Sequence, residues 1–104
     1  PRVIGHRGAC GYAPENTLES IKTAAELGVK WVELDVKLTR DGVAIIFHDD
    51  DLDRTTNGGG PVKDRTYEEI SQLEAGSWFA DSFAGAKIPT LEEALDVILE
   101  FNLG

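Results

Sequence analysis

The chain reads as an α/β protein built on a strand–helix–strand unit, and three observations predict it. A short apolar segment, RVIGH at 2–6, is followed by an amphipathic helical stretch and then by two further apolar runs, 31–36 and 43–47. Strand, helix and strand in this length make a right-handed parallel βαβ unit. Ionisable groups also sit where buried strands should have none: His6 ends the first strand, Glu33 and Asp35 interrupt the second, and His48 closes the third. Open α/β sheets and α/β barrels place their active sites at the C-terminal ends of their strands.

The elements follow in order. Ile4 and His6 share one face of the first strand. The loop RGACGYAPEN leads to a helix predicted over about 17–27, with Asn16 or Thr17 as N-cap and Glu19 three residues after Asn16, as in a capping box. Leu18, Ile21 and Ala25 mark its buried stripe, and Gly28 is its stop. In the strand 31–36, alternation puts Trp31, Glu33 and Asp35 on one face and Val32, Leu34 and Val36 on the other. The apolar face packs on helices. The acidic face looks into a polar site, because unpaired buried carboxylates are costly.

Asp41-Gly42 is a hairpin signal. A tight hairpin sets residue 43 opposite 40 and His48 opposite Asp35. The alternative is a parallel pair, with residues 37–42 running back down the sheet. Either arrangement brings His48 beside Asp35. After residue 47 comes the long polar segment HDDDLDRTTNGGGPVKDR, whose length marks a functional loop. Thr66 with Glu69 caps a short helix near 67–73, with Tyr67, Ile70 and Leu73 inward. Residues 74–89 read as irregular. Thr90 with Glu93 opens a last helix over about 91–102, whose stripe is Leu91, Ala94, Leu95, Ile98 and Leu99.

The 104 residues suffice for one domain, and neither an internal repeat nor a boundary is visible. With 41% hydrophobic residues, no apolar run approaches the ~18–20 residues of a membrane span. No signal peptide is visible, and the single Cys10 fits a reducing compartment, so a cytoplasmic location is expected. Nineteen acidic residues against ten basic give a formal charge of −9, which argues against a nucleic-acid or anionic-membrane surface. An acidic protein that handles phosphate must supply local positive charge, from Arg7 or a metal ion.

Two carboxylates on one strand suit a hard cation, Mg²⁺ or Ca²⁺, better than zinc. Salt bridges to neighbouring basic residues are the bland alternative. Arg7 is suited to bidentate phosphate contact, or to an ion pair with Glu15 or Asp35. Glu15 sits where it also favours the helix N-terminus. The run Asp49-Asp50-Asp51 reads as a turn and solvated face. Trp78 and Phe79 read as core beneath the long loop or as a cleft wall.

Together, His6-Arg7-Gly8, Pro14-Glu15-Asn16-Thr17, Glu33-Leu34-Asp35 and Phe47-His48-Asp49 resemble the glycerophosphodiester phosphodiesterase family. The likeness continues through Leu52-Asp53-Arg54-Thr55-Thr56, Ala75-Gly76-Ser77-Trp78-Phe79 and Ile88-Pro89-Thr90-Leu91-Glu92-Glu93. The resemblance implies the N-terminal part of a TIM-type (β/α)8 barrel, with about 49–87 as an insertion after the third strand. It implies His6 and His48 as general base and acid, Glu33 and Asp35 as ligands of one divalent cation, and Arg7 with Glu15 arranging the phosphate. The implied reaction belongs to glycerol and lipid metabolism: hydrolysis of glycerophosphodiesters to sn-glycerol 3-phosphate and an alcohol. A phospholipase-D-type lyase and a fragment that binds phosphate without turnover are the rivals.

A whole barrel takes ~200–250 residues, and the family supplies a third acidic ligand from a later strand. The 104-residue chain alone is therefore expected to be inactive. Exposed apolar surface, self-association or a missing C-terminal barrel segment is expected with it.

Overall fold

The structure, a computed structural model, describes residues 4–103. Of the first predicted strand, residues 2 and 3 lie outside the described part. The observed order is β1 (Ile4–His6), α1 (Leu18–Glu26), β2 (Trp31–Glu33), β3 (Val36–Leu38), β4 (Ala44–Ile46), α2 (Tyr67–Ser71) and α3 (Leu91–Glu100). Two single 3-10 turns, Val62–Asp64 and Asp81–Phe83, lie in the segment after β4. The fold class is α/β, as predicted. No helix among the described residues is long and apolar enough to cross a membrane.

β1 and β2 pair in parallel with α1 between them, in the register Ile4–Trp31, Gly5–Val32, His6–Glu33. Thr17 is the N-cap of α1, and its side chain accepts from Ser20 N. Asn16 is not the cap, because its side chain is used elsewhere. Gly28 does stop the helix: it lies at φ 82°, its N–H donates to Ala25 O, and Val29 N–H donates to Ala24 O. This is a Schellman closure.

The expected strand 31–36 is broken at Leu34–Asp35. Its second half, β3, belongs to a separate antiparallel pair with β4, in the register Val36–Ile46, Lys37–Ile45, Leu38–Ala44. The simple alternation that put Asp35 on the face of Trp31 and Glu33 does not run through this break. The hairpin register also differs from the tight-turn reading by one residue. Thr39 N–H donates to Val43 O, so Thr39 lies opposite Val43, and the loop has three residues that end on Gly42 at φ 80°. Asp35 therefore lies opposite Phe47, whose N–H donates to Asp35 O, and His48 is the next residue along. The cause is tertiary. Asp41 Oδ1 accepts from Thr39 Oγ1 and from Tyr67 N–H at the start of α2, and Arg40 N–H donates to Arg65 O.

β4 separates two cores. Ile45 and Phe47 join Leu52, Val62, Ile70, Ala75 and Ile88 beneath the long segment. Ile46 points the other way, to Ile21 of α1 and to Ala94 and Val97 of α3. All three β4-side residues are buried, so the strand that carries His48 is held from both faces. The capping boxes Thr66–Glu69 and Thr90–Glu93 form as predicted. The buried stripe of α3 is rotated from the expected one. Ala94 and Val97 are inside, whereas Leu95 and Leu99 are 48% and 76% exposed. Only the side toward α1 and β4 is covered. Ile4, Trp31, Val36 and Leu38 are exposed as well, in keeping with the expected apolar exposure.

Candidate active site

The first histidine is placed by strand register alone. His6 is the direct partner of Glu33 across β1–β2, and its Nδ1 lies 3.1 Å from Glu33 Oε1. Both side chains are open to solvent, at 58% and 50%. Ile4 and Trp31 occupy the same face one pair below, so this face carries an apolar pair beneath a polar one.

Beside it, the chain makes a strained turn. Arg7 has φ 52°, in the left-handed region that a long side chain seldom adopts. Its carbonyl is held by Asn16 N–H at 2.9 Å and by Ser20 Oγ–H at 2.7 Å. Gly8, at φ 81°, is packed against Ser20 so closely that a Cβ would lie 1.8 Å from Ser20 Oγ. Glycine is thus required here by both conformation and space. The turn aims the Arg7 guanidinium at two acids. Nη1 lies 3.3 Å from each oxygen of Glu15, and Nε lies 3.6 Å from Asp35 Oδ2. At 3.6 Å there is Coulomb attraction but no hydrogen bond, and Arg7 Nε is a buried donor without an acceptor.

Asn16 completes this corner. Also at positive φ, it donates from Nδ2 to Asp35 Oδ2 at 3.0 Å and accepts from Asp35 N–H at 3.3 Å. Asp35, at the break between β2 and β3, is therefore gripped by backbone and side chain together. The sequence offers Asn16 as a helix cap and as part of Pro14-Glu15-Asn16-Thr17, and neither signal gives its contact with Asp35.

The second histidine is placed by side chains. His48 Nδ1 lies 2.7 Å from Asp49 Oδ1. Arg54 takes hold of the same carboxylate, with Nε 2.9 Å from Oδ2 and Nη2 3.0 Å from Oδ1. Its other side grips Glu15, with Nη1 3.1 Å from Oε1 and Nη2 2.8 Å from Oε2. Arg54 also lies 5.8 Å from the centre of the Trp78 ring. These hydrogen bonds hold the Asp49 carboxyl down at about 2; Arg54 contributes most, and His48 adds to it. The Arg54 guanidinium is correspondingly raised.

Residue by residue, the structure joins His6 to Glu33, and Arg7 to Glu15 and Asp35. Through Arg54, Glu15 is joined to Asp49 and His48. Asp49 and Arg54 were missed as individual residues. Asp49 was read as part of a solvated turn, a description that fits Asp50, which pairs with Lys37 from an almost fully exposed position. The one signal for Arg54 was its place in Leu52-Asp53-Arg54-Thr55-Thr56. Trp78 is not in the core beneath the loop. It stands edge-on to Phe79, which stands edge-on to Phe83.

Two sets of residues bear on a cation. Glu15, His48 and Asp49 bring ligand atoms within 4.8 Å of one another. However, all four carboxylate oxygens in that set already accept from Arg54, so a guanidinium takes the place an ion would need. Glu33 and Asp35 fit better. The Glu33 carboxylate pairs with His6, and the contacts of the Asp35 carboxylate among the described residues fall on Oδ2. Two partly open carboxylates are the donor type a hard cation takes.

Two histidines, each with a carboxylate at Nδ1, flank a corner of this α/β fold where arginines and acids meet at strand ends. Comparison gives the family. The chain belongs to the glycerophosphoryl diester phosphodiesterase family, whose profile matches residues 6–104. The glycerophosphodiester phosphodiesterase of Caldanaerobacter subterraneus is 53% identical over 96 residues, 92% of this chain and 40% of that protein. Glycerophosphodiester phosphodiesterase 1 of Homo sapiens is 45% identical over 103 residues, 97% of this chain and 31% of that protein. A solved Oleispira antarctica phosphodiesterase, in complex with the product sn-glycerol-3-phosphate, matches with a TM-score of 0.97 at 50% identity, over 100% of this chain and 42% of that one. The chain thus spans about two fifths or less of the length of these relatives.

Proposed function

We propose that the protein hydrolyses glycerophosphodiesters to sn-glycerol 3-phosphate and an alcohol, with His6 and His48 as the proton-transfer pair. The observation that carries this reading is shared by both histidines: Nδ1 is turned to a carboxylate, Glu33 or Asp49. A ring held this way keeps its proton on Nδ1 and offers Nε2 to a reacting group. The family relationship and the product named for the Oleispira relative support the substrate class. In hydrolysis, one ring takes a proton from the attacking water as its oxygen bonds to phosphorus. The P–O bond to the alcohol breaks, and the other ring, which enters the reaction as the imidazolium with its Nδ1–H on the carboxylate, gives its Nε2 proton to the departing oxygen.

Glu33 and Asp35 are the residues that would hold one divalent cation, Mg²⁺ or Ca²⁺. Such an ion neutralises charge on a phosphate. Arg7, aimed by its left-handed backbone and by Glu15, supplies a fixed guanidinium beside that position. Glu15 acts here by holding Arg7 and Arg54 rather than by touching an anionic phosphate, which it would repel. For the architecture, we propose that β1, β2 and β4 are barrel strands of a TIM-type (β/α)8 fold. The open face with Ile4, Trp31, His6 and Glu33 is then the barrel interior, and residues 49–87 are an insertion with its own small core. The test is an assay of the full chain for sn-glycerol 3-phosphate released from glycerophosphodiesters. Release of a cyclic phosphate instead would establish the lyase reaction, and binding of the diester without turnover would leave only a phosphate-binding module.

A further inference from the structure

We propose that Arg54 is a positioning residue that fixes the tautomer and orientation of His48 through Asp49 and couples them to Arg7 through Glu15. The inference rests on the catalytic reading of His48 given above. The geometry is a continuous chain of contacts: His48 Nδ1–Asp49 Oδ1 at 2.7 Å, Asp49–Arg54 at 2.9 and 3.0 Å, Arg54–Glu15 at 2.8 and 3.1 Å, and Glu15–Arg7 at 3.3 Å. Arg54 spends four hydrogen bonds on two carboxylates that are 39 and 5 residues away in sequence. Without it, Glu15 and Asp49 would be like charges whose oxygens lie within 4.8 Å of a common partner ring, and they would push apart. Asp49 would then be free to swing from the ring. The planar fork of arginine is what matches two carboxylates at once.

The segment that carries Arg54 is built to hold it still. Leu52 is fully buried in the core beneath the loop, and Thr55 is also buried. Leu52 N–H donates to Gly60 O, and Leu52 O accepts from both Thr56 N–H and Thr56 Oγ–H. A solvated surface arginine needs no such anchoring on both sides. Trp78, whose Nε1–H donates to Ala75 O, stands beside the guanidinium and completes the cage.

The test uses Arg54→Gln and Arg54→Lys in the full chain. Nitrogen-15 spectra of the rings in their neutral form, reached by following the signals across a pH series, read the tautomer directly. The wild-type His48 ring should show the proton on Nδ1, and Arg54→Gln should show a mixture with the Nε2-protonated form. In hydrolysis, kcat should fall about 10²-fold while KM changes by less than about three-fold. Lysine keeps the charge but not the fork, so Arg54→Lys should fall between the two. Should Arg54→Gln fail to fold, the ring spectrum and kcat of Arg54→Lys decide. An unchanged His48 tautomer overturns the proposal, as does a raised KM at unchanged kcat, which would make Arg54 a direct substrate contact. If the wild type hydrolyses no glycerophosphodiester, the functional reading fails separately, and the tautomer still reports on Arg54.

Discussion

His6 and His48 present the same ring atom to a carboxylate, yet they are held in different ways. His6 owes its place to the backbone: β1 and β2 pair in register, Glu33 arrives opposite, and one contact at 3.1 Å completes the pair in open solvent. His48 follows a strand buried on both faces, and its acid partner is itself gripped by Arg54, which is gripped by Glu15. A group placed by sheet register moves only if the sheet moves. A group placed by a side-chain network depends on every member of it. The first design is cheap in residues, and the second lets distant parts of the chain adjust one ring.

The largest effect should come from the corner the two histidines share. Removing divalent metal with a chelator, or making Glu33→Gln or Asp35→Asn, should lower turnover of the whole protein at least ~10³-fold, since ion stabilisation of phosphate charge is worth several kcal/mol. Added Mg²⁺ or Ca²⁺ should restore the chelated protein but not the variants. Full activity in metal-stripped protein would make the two carboxylates structural.

Next, His6→Ala and His48→Ala should each cost at least ~10²-fold in kcat. The comparison sharpens one step outward. Substitutions at Glu33 should alter His6 and the proposed cation position and leave the His48 ring as it is, whereas substitutions at Asp49 or Glu15 should alter both His48 and the arginines. Circular dichroism on each variant separates lost chemistry from lost fold.

A smaller effect is expected in stability. Asn16→Ala removes two hydrogen bonds to Asp35, one of them to a charged group, and places alanine at φ 55°. A loss of about 2 kcal/mol follows, read as a lower urea midpoint at unchanged slope. No change would mean that Arg7 alone holds Asp35.

The mildest test is acid. Asp49 is lowered to about 2, chiefly by Arg54, and Glu74 to about 2 by the hydroxyl and N–H of Ser77 and the N–H groups of Gly76 and Gly85. Both lie below the ordinary carboxylate value, so the unfolded chain binds these protons first. Their stabilisation is whole above about pH 5 and is lost as pH falls toward 2. The melting temperature should drop over that window, and Glu74→Gln should flatten the drop. Because Glu74 is exposed, its share is small.

The sequence by itself determined what neighbours in the chain can settle. Thr66 with Glu69 and Thr90 with Glu93 make their capping boxes across three residues, and Gly28 ends α1 because it tolerates positive φ. Strand ends carrying His6, Glu33 and His48 were legible because ionisable groups interrupt apolar runs. The tertiary structure decided the rest, through contacts between residues far apart in the chain. Asp41 meets Tyr67 N–H, which sets the hairpin one residue away from the tight turn. Val97 is buried in place of Leu95 and Leu99, because helix periodicity defines a stripe but only α1 and β4 choose which side of it they cover. Arg54 reaches Glu15 across 39 residues, and no local pattern distinguishes an arginine that bridges two carboxylates from one that points into water.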